Sequence, residues 1–346
     1  MFGRSLYLSN TKTETQHTLN KLNKNSWCFI SLHTPEDIWG DISNKSQKLI
    51  NSIHETGAKI IADISPRGTT ALGFNNLKSI AKSGIVDALR CDYGYETNEM
   101  LEANKYCPIV LNASCTTTEQ LTEFSKTNTN TMAMHNFYPR PETGLDFEEC
   151  LHRNKAIHQS GVKTLAFISG LYNPRGPIFK GLPTVEKHRT LPSYVQYAFH
   201  RFVLDTDLIF LGDLDLDETN ETLVLATEST GFLQIPIIPT HNLPKKFINT
   251  PLTIRKDSNS LLARIQESRE YSATGSVVTP KNTTERKKGA ITIDNEKYGR
   301  YSGELMIVKD DLPQDECVNV VAHIDPNYMD LLNLCCGERK IYFVVK

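Results

Sequence analysis

The chain has 346 residues, 39% of them hydrophobic and 23% charged, with a formal net charge of −2; this is an ordinary globular composition, long enough for two cores. So balanced a charge leaves no footprint for nucleic acid, and no apolar stretch approaches the roughly 20 residues that cross a bilayer, so neither nucleic acid nor membrane is expected as a partner. The first residues, Met1 to Ser9, contain no long apolar core and no small-residue cleavage site, which predicts no signal peptide and a cytoplasmic protein.

In chain order, short apolar runs occur at 3–8, 27–32, 59–64, 88–92, 108–112, 131–137, 163–168 and 207–212. Near-continuous apolar runs suit parallel strands covered on both faces. Helical patterns separate them. One covers 43–56, with Ile42, Leu49, Ile50 and Ile53 at helical spacing and Gly57 as its stop. Others cover 116–126 with Thr118 as cap, 147–160 running into Gly161, and 192–203 opened by Pro192. Eight strands alternating with helices predict a (β/α)8 TIM barrel; a doubly wound open sheet is the alternative, and its G-x-G-x-x-G fingerprint is missing. Beyond Gly212 the pattern changes. A helical stretch at 215–230 and a strand-like run at 232–239 precede short alternating segments at 289–293, 304–308, 318–323 and 340–345. These predict a small β-barrel or sandwich, dividing the chain into 1–235 and 236–346. The eight cysteines form no C-x-x-C pair and read as reduced, mostly buried hydrophobes.

A barrel of this kind carries its active site at the C-terminal ends of its strands. Almost every such end here is polar. The carboxylates there are Glu36, Asp63, Asp92, Glu142, Glu186 and Asp213, and the guanidinium groups are Arg90, Arg140, Arg175 and Arg189. Paired carboxylates suit glycoside hydrolysis, and arginine grips phosphate or carboxylate through two parallel hydrogen bonds. Together they predict a site for an anionic sugar. The competing reading of Arg90 is a plain ion pair with Asp63 or Asp92 inside the barrel. No metal is expected. The 213–217 stretch resembles the start of a calcium loop, but Glu218 stands at its glycine position and Val224 at its bidentate glutamate. His33, His135 and His188 lie on separate elements.

Several strings resemble those of the MupG-type 6-phospho-N-acetylmuramidases, formerly filed as "outer surface proteins" of unknown function. They are Ser31-Leu-His-Thr-Pro-Glu36, Asp63-Ile-Ser-Pro66, Leu89-Arg-Cys-Asp-Tyr-Gly94, the ten residues 135–144, the nine residues 181–189 and the twelve residues 293–304. The resemblance covers nearly the whole chain. It implies a barrel followed by a cyclophilin-like β-barrel domain, and an intracellular exo-enzyme of peptidoglycan recycling. That enzyme hydrolyses the β-1,4 bond between N-acetylmuramic acid 6-phosphate and N-acetylglucosamine without a cofactor. Its substrate carries a phosphate and a lactyl carboxylate, which suit Arg140 and Arg175. Asp63, Arg90, Asn112, His135, Asn136 and Tyr138 are the remaining binding candidates. By strand-end position Asp92, Asp213 and Glu36 are the catalytic candidates, and a 2-acetamido sugar can also supply its own nucleophile. Residues 285–289 and Arg300-Tyr301 either reach the phosphate or build a structural hairpin at 294–304. A phosphosugar lyase or aldolase is an alternative on the same barrel, although Lys59 and Lys163 sit at strand starts rather than ends; a non-catalytic phosphosugar sensor is another.

Overall fold

A computed structural model describes residues 1–32, 42–240, 243–269 and 277–345. Eight parallel strands close into a barrel: β1 (Phe2–Tyr7), β2 (Trp27–Ser31), β3 (Lys59–Ile64), β4 (Ala88–Cys91), β5 (Ile109–Asn112), β6 (Met132–Met134), β7 (Lys163–Ile168) and β8 (Leu208–Leu211). β1 pairs with β8 to complete it. Each strand follows one of the predicted apolar runs. The continuous runs divide by the two-residue period of a strand. One set of side chains, including Tyr7, Phe29, Ile61, Ala88, Val110, Met134, Leu165, Phe167 and Phe210, packs together as one buried cluster inside the barrel. The alternate set, including Ile30, Ala62, Leu89 and Leu111, packs with helix residues such as Ile50, Ile80 and Phe124. The interior is rich in rings: Phe29 and Phe167 meet edge to face at 5.1 Å. Gly3 makes room for this, since a Cβ there would lie 2.6 Å from the Phe210 ring.

The helices are α1 (Lys12–Leu19), α2 (Ile42–Glu55), α3 (Pro66–Ala71), α4 (Leu77–Ser83), α5 (Thr97–Asn104), α6 (Thr118–Thr127), α7 (Phe147–Gln159), α8 (Ser193–Phe202) and α9 (Glu218–Thr230). Gly57 and Gly161 take positive φ beyond α2 and α7, as the stop signals predict. The cap of α6 is Thr117 rather than Thr118, because its hydroxyl accepts from Gln120 N–H and Gln120 returns the bond in a capping box.

Two compact units are present, Met1–Asn220 and Glu221–Lys346. The expected boundary at 235/236 falls inside β9 (Leu233–Pro239). This strand belongs to a seven-stranded mixed sheet with β10 (Leu252–Thr253), β11 (Leu262–Arg264), β12 (Ala290–Asp294), β13 (Leu305–Val308), β14 (Val318–Ile324) and β15 (Lys340–Val345), in the order β10-β15-β9-β14-β12-β13-β11. An antiparallel bridge between Ile254 and Ile265 links the two edges, so the sheet curls on itself.

All eight cysteines are free. Burial pushes the Cys107, Cys150 and Cys335 thiols up to about 12, which keeps them protonated and unreactive. No helix among the described residues is long and apolar enough to cross a membrane.

Candidate active site

The register of β3 on β4 sets Asp63 directly opposite Arg90. Both are buried. Arg90 Nη1 donates to Asp63 Oδ1 at 2.8 Å, while Nη2 donates to Asp92 Oδ1 at 3.1 Å and to Asn136 Oδ1. Burial opposes the charge on this guanidinium, yet the two carboxylates outweigh it and hold Arg90 above its ordinary pKa. The ion pair weighed against a binding role is therefore present, and it lies in the wall of a cleft. Phe29, Asp63, Arg90, Asp92, Asn136, Phe137 and Phe167 line that cleft, whose volume is about 160 Å³.

Asp92 is the group this network aims. Its Oδ1 also accepts from Asn112 Nδ2 at 2.8 Å. The Asn112 amide is itself oriented, because its Oδ1 accepts from Ser114 N–H at 2.9 Å. Ser114 Oγ lies 3.4 Å from the Tyr138 hydroxyl, so Tyr138 joins the same chain of contacts. No described residue hydrogen-bonds the second oxygen of Asp92, whose side chain is 25% exposed. The arrangement is a carboxylate with one oxygen fixed by two donors and the other available to a ligand, beside a ring-lined floor.

Six of the sequence-derived residues thus converge: Asp63, Arg90, Asp92, Asn112, Asn136 and, through Ser114, Tyr138. Others lie elsewhere. His135 precedes Asn136 and so points the opposite way; it is fully buried, with Nε2 2.8 Å from Asn154 Oδ1 on α7. Asp213 is 1% exposed, and three backbone N–H groups saturate its carboxylate: Arg175 at 2.7 Å, Gly170 at 2.9 Å and Leu182 at 3.0 Å. Burial pushes its carboxyl up to about 6 despite those donors. It clamps the β7–α8 loop and does not line the cleft. Arg175 lays its guanidinium over the Tyr7 ring at 3.7 Å and donates to Ser9 Oγ at 3.2 Å. Arg140 is exposed, and its guanidinium makes no hydrogen bond or ion pair with a described residue. Glu36 and His33 lie outside the described residues.

Glu186 and Arg189 turn out to tie loops together. Arg189 donates to both oxygens of Glu186 at 2.7 Å and to the carbonyls of Tyr138, Arg140, Lys180 and Gly181. This guanidinium holds the Glu186 carboxyl down at about 2. Much of the 135–144 and 181–189 strings is explained by this cross-tie, which fixes the loop carrying Asn136, Phe137 and Tyr138. Asp215, from the stretch that mimics a calcium loop, bonds Lys21 at 2.8 Å and His17 at 2.6 Å. In the second unit the 293–304 segment is bonded to its neighbours in the same unit: the Asn295 amide donates to Glu316 O and Asn319 Oδ1, and Arg264 pairs with Glu304 at 2.8 Å. Arg286 Nε bonds Pro313 O, and Arg300 Nη2 bonds the Tyr301 hydroxyl.

The lining rings Phe29, Phe137 and Phe167 read as core in the sequence, yet they line the cleft. The period-two alternation on β2 and β7 carries the signal, because it places Phe29 and Phe167 on the inward face with Asp63 and Arg90.

The description "6-phospho-N-acetylmuramidase, N-terminal" matches residues 2–224, and "6-phospho-N-acetylmuramidase, C-terminal" matches residues 233–344. The chain belongs to the 6-phospho-N-acetylmuramidase family. This is a family of glycoside hydrolases, and the family's name implies a phosphorylated sugar as substrate. A conserved Enterococcus faecalis protein of unknown function is 28% identical over 100% of this chain and 96% of its own, with a TM-score of 0.81. An uncharacterized B. cereus protein is 22% identical over 99% of both chains, with a TM-score of 0.83, and shares the fold. No curated protein matches the chain.

His135 has two buried companions. His188 and His200 lie with ring centroids 5.2 Å apart. Burial lowers His135 to about 4 and His188 to about 3; it also drives His200 well down, aided by the other two rings. Between pH 5 and 6 the unfolded barrel therefore takes protons on these imidazoles that the folded barrel refuses, while Asp213 takes one only when folded. The unfolded state then holds about two more protons, so stability present above pH 6.5 falls by roughly 3 kcal/mol per unit as pH drops toward 4. Urea unfolding of the barrel at pH 7 and pH 5.5 checks this; equal midpoints would contradict it.

Proposed function

We propose that the chain is a cytoplasmic, exo-acting enzyme of peptidoglycan recycling. It hydrolyses the β-1,4 bond between N-acetylmuramic acid 6-phosphate and N-acetylglucosamine, and needs no cofactor. One observation supports this reading: Asp92 has one oxygen anchored by Arg90 and Asn112, and no described residue bonds the other, in a ring-lined cleft. An ion-paired carboxylate is an acceptor rather than a proton donor. In a 2-acetamido sugar it suits the acetamido N–H, steering the carbonyl oxygen onto C1 as the C1–O4 bond breaks. N-acetylglucosamine leaves with the acid's proton on O4; water then adds its oxygen to C1 as the bond from C1 to the acetamido oxygen breaks, and the proton that water loses returns to the acid. Of the three catalytic candidates, Asp92 is ion-paired and Asp213 is sealed, so the proton donor is assigned to Glu36, the remaining one. Arg140 and Arg175 are assigned to the phosphate and the lactyl carboxylate, as the two cations nearest in sequence to the mouth-forming ends of β6 and β7. The second unit is proposed to be the cyclophilin-like domain of the family.

The test is incubation with the phosphorylated disaccharide beside its unphosphorylated twin, read by mass spectrometry. Cleavage of the phosphorylated form alone is expected. Tight binding without cleavage overturns the enzyme reading for this substrate and favours a phosphosugar sensor.

A further inference from the structure

The loop between β7 and α8 is unusually apolar for an exposed segment. Leu171, Tyr172, Ile178 and Phe179 are 41%, 71%, 42% and 63% exposed. Exposed apolar groups collected on one loop mark a surface that meets something. This loop is also held firmly. The Asp213 carboxylate binds the N–H groups of Gly170, Arg175 and Leu182, and Asn173 bridges to Asp215.

Between those anchors the backbone forms a turn that presents Phe179. Phe179 N–H donates to Arg175 O at 3.3 Å. Phe179 has φ +56°, a left-handed conformation that bulky side chains rarely adopt. Its ring lies against Gly176, where a Cβ would approach to 2.8 Å. Glycine at 176 is thus required for the ring to sit where it does. Neither Phe179 nor Tyr172 stacks with another ring among the described residues.

This surface continues from the cleft wall. Phe137, which lines the cleft, meets Tyr7 edge to face at 6.4 Å, and the Arg175 guanidinium lies over the same Tyr7 ring, 3.7 Å from its centroid. Arg175 leads directly into Gly176 and the Phe179 turn. The cleft itself holds about 160 Å³, below the roughly 300–1,000 Å³ of pockets that enclose a whole ligand. A disaccharide seated with its reacting carbon at Asp92 must therefore lay one ring outside the cleft, across the mouth. Sugar rings present an apolar face of C–H groups, which aromatic faces at a polar rim accommodate.

The geometry points to Phe179 and Tyr172 as an aglycone subsite, the platform on which the leaving N-acetylglucosamine ring of the substrate rests. This rests on the function proposed above. It assigns to the β7–α8 loop the choice of leaving group, and leaves the chemistry to Asp92 and Glu36.

The experiment compares two substrates with the full chain: the phosphorylated disaccharide, and the β-fluoride of N-acetylmuramic acid 6-phosphate, whose leaving group is too small to touch the loop. For Phe179→Ala and Tyr172→Ala, kcat/KM on the disaccharide is expected to fall about tenfold, mainly through KM, while the fluoride is hydrolysed within twofold of the wild-type rate. Phe179→Leu keeps apolar area and recovers part of the loss. Equal losses on both substrates, or none on either, overturn the platform. So does a wild-type dimer by light scattering that Phe179→Ala and Tyr172→Ala dissociate with disaccharide kinetics unchanged, which would make the loop a contact between copies of the chain. Failure of the wild type on both substrates is a separate result; it removes the proposed function, and the platform with it.

Discussion

Asp92→Asn is expected to lower kcat on the phosphorylated disaccharide by about 10³-fold while the protein stays folded. The amide has nearly the shape of the carboxylate. Its oxygen can still accept from Arg90 Nη2 and Asn112 Nδ2, the two bonds that fix Asp92 Oδ1. What changes is the other atom. The oxygen that no described residue bonds becomes an NH₂, a donor facing a substrate N–H, and the negative charge that would balance a developing positive centre is gone. Arg90 keeps Asp63 as its ion-pair partner, so the network survives. The check is kcat by mass spectrometry with a thermal melt alongside. An Asp92→Asn enzyme within tenfold of wild type would remove Asp92 from the chemistry.

Arg90→Met is expected to cost both folding and activity. Its guanidinium is 5% exposed and is shared by Asp63, Asp92 and Asn136. Removing one partner of a buried pair leaves the other charges uncompensated, a cost of about 3–5 kcal/mol. Without the cation, the two carboxylates repel, and one takes a proton; residual activity should then shift to higher pH, where both are ionised. Arg90→Lys separates charge from geometry. A single ammonium restores the positive charge but cannot fork in one plane to three acceptors, so stability should recover further than kcat does. Urea unfolding and pH–rate profiles of the two variants measure this. A fully active, fully stable Arg90→Met protein would show that the network only decorates the barrel.

Several features of the site are local enough to read without a fold. Strand ends are where parallel strands hand over to loops, and the polar residues at 63, 90, 92, 112 and 136 all stand there. Strand-end position without strand face misplaces His135, which is fully buried against Asn154. Asn136 and His135 are neighbours in sequence, but a strand turns neighbours to opposite sides. Asp213 departs from its strand-end expectation for a different reason. Its three donors come from residues 170, 175 and 182, and nothing in the sequence near 213 announces them. A carboxylate that looks available at a strand end is used up by a loop 31 to 43 residues away. The Glu186–Arg189 cross-tie is half visible, since the spacing of three invites an i,i+3 pair, but the four carbonyls that Arg189 also gathers are not.

Short-range pattern is enough for the eight strands, the helices at 43–56, 116–126, 147–160 and 192–203, and the polar strand ends. Each follows from short-range periodicity and from stop signals such as Gly57 and Gly161, which the backbone obeys locally. Only the tertiary structure decided which polar groups meet. Barrel closure and the β3–β4 register bring Asp63 opposite Arg90, and the next strands bring Asn112 and Asn136 to Asp92. It also decided that Asp213 is sealed and that Phe29 and Phe167 floor a cleft. The reason is physical: a carboxylate is a catalyst or a clamp according to the donors around it, and those donors come from chain segments far away in sequence.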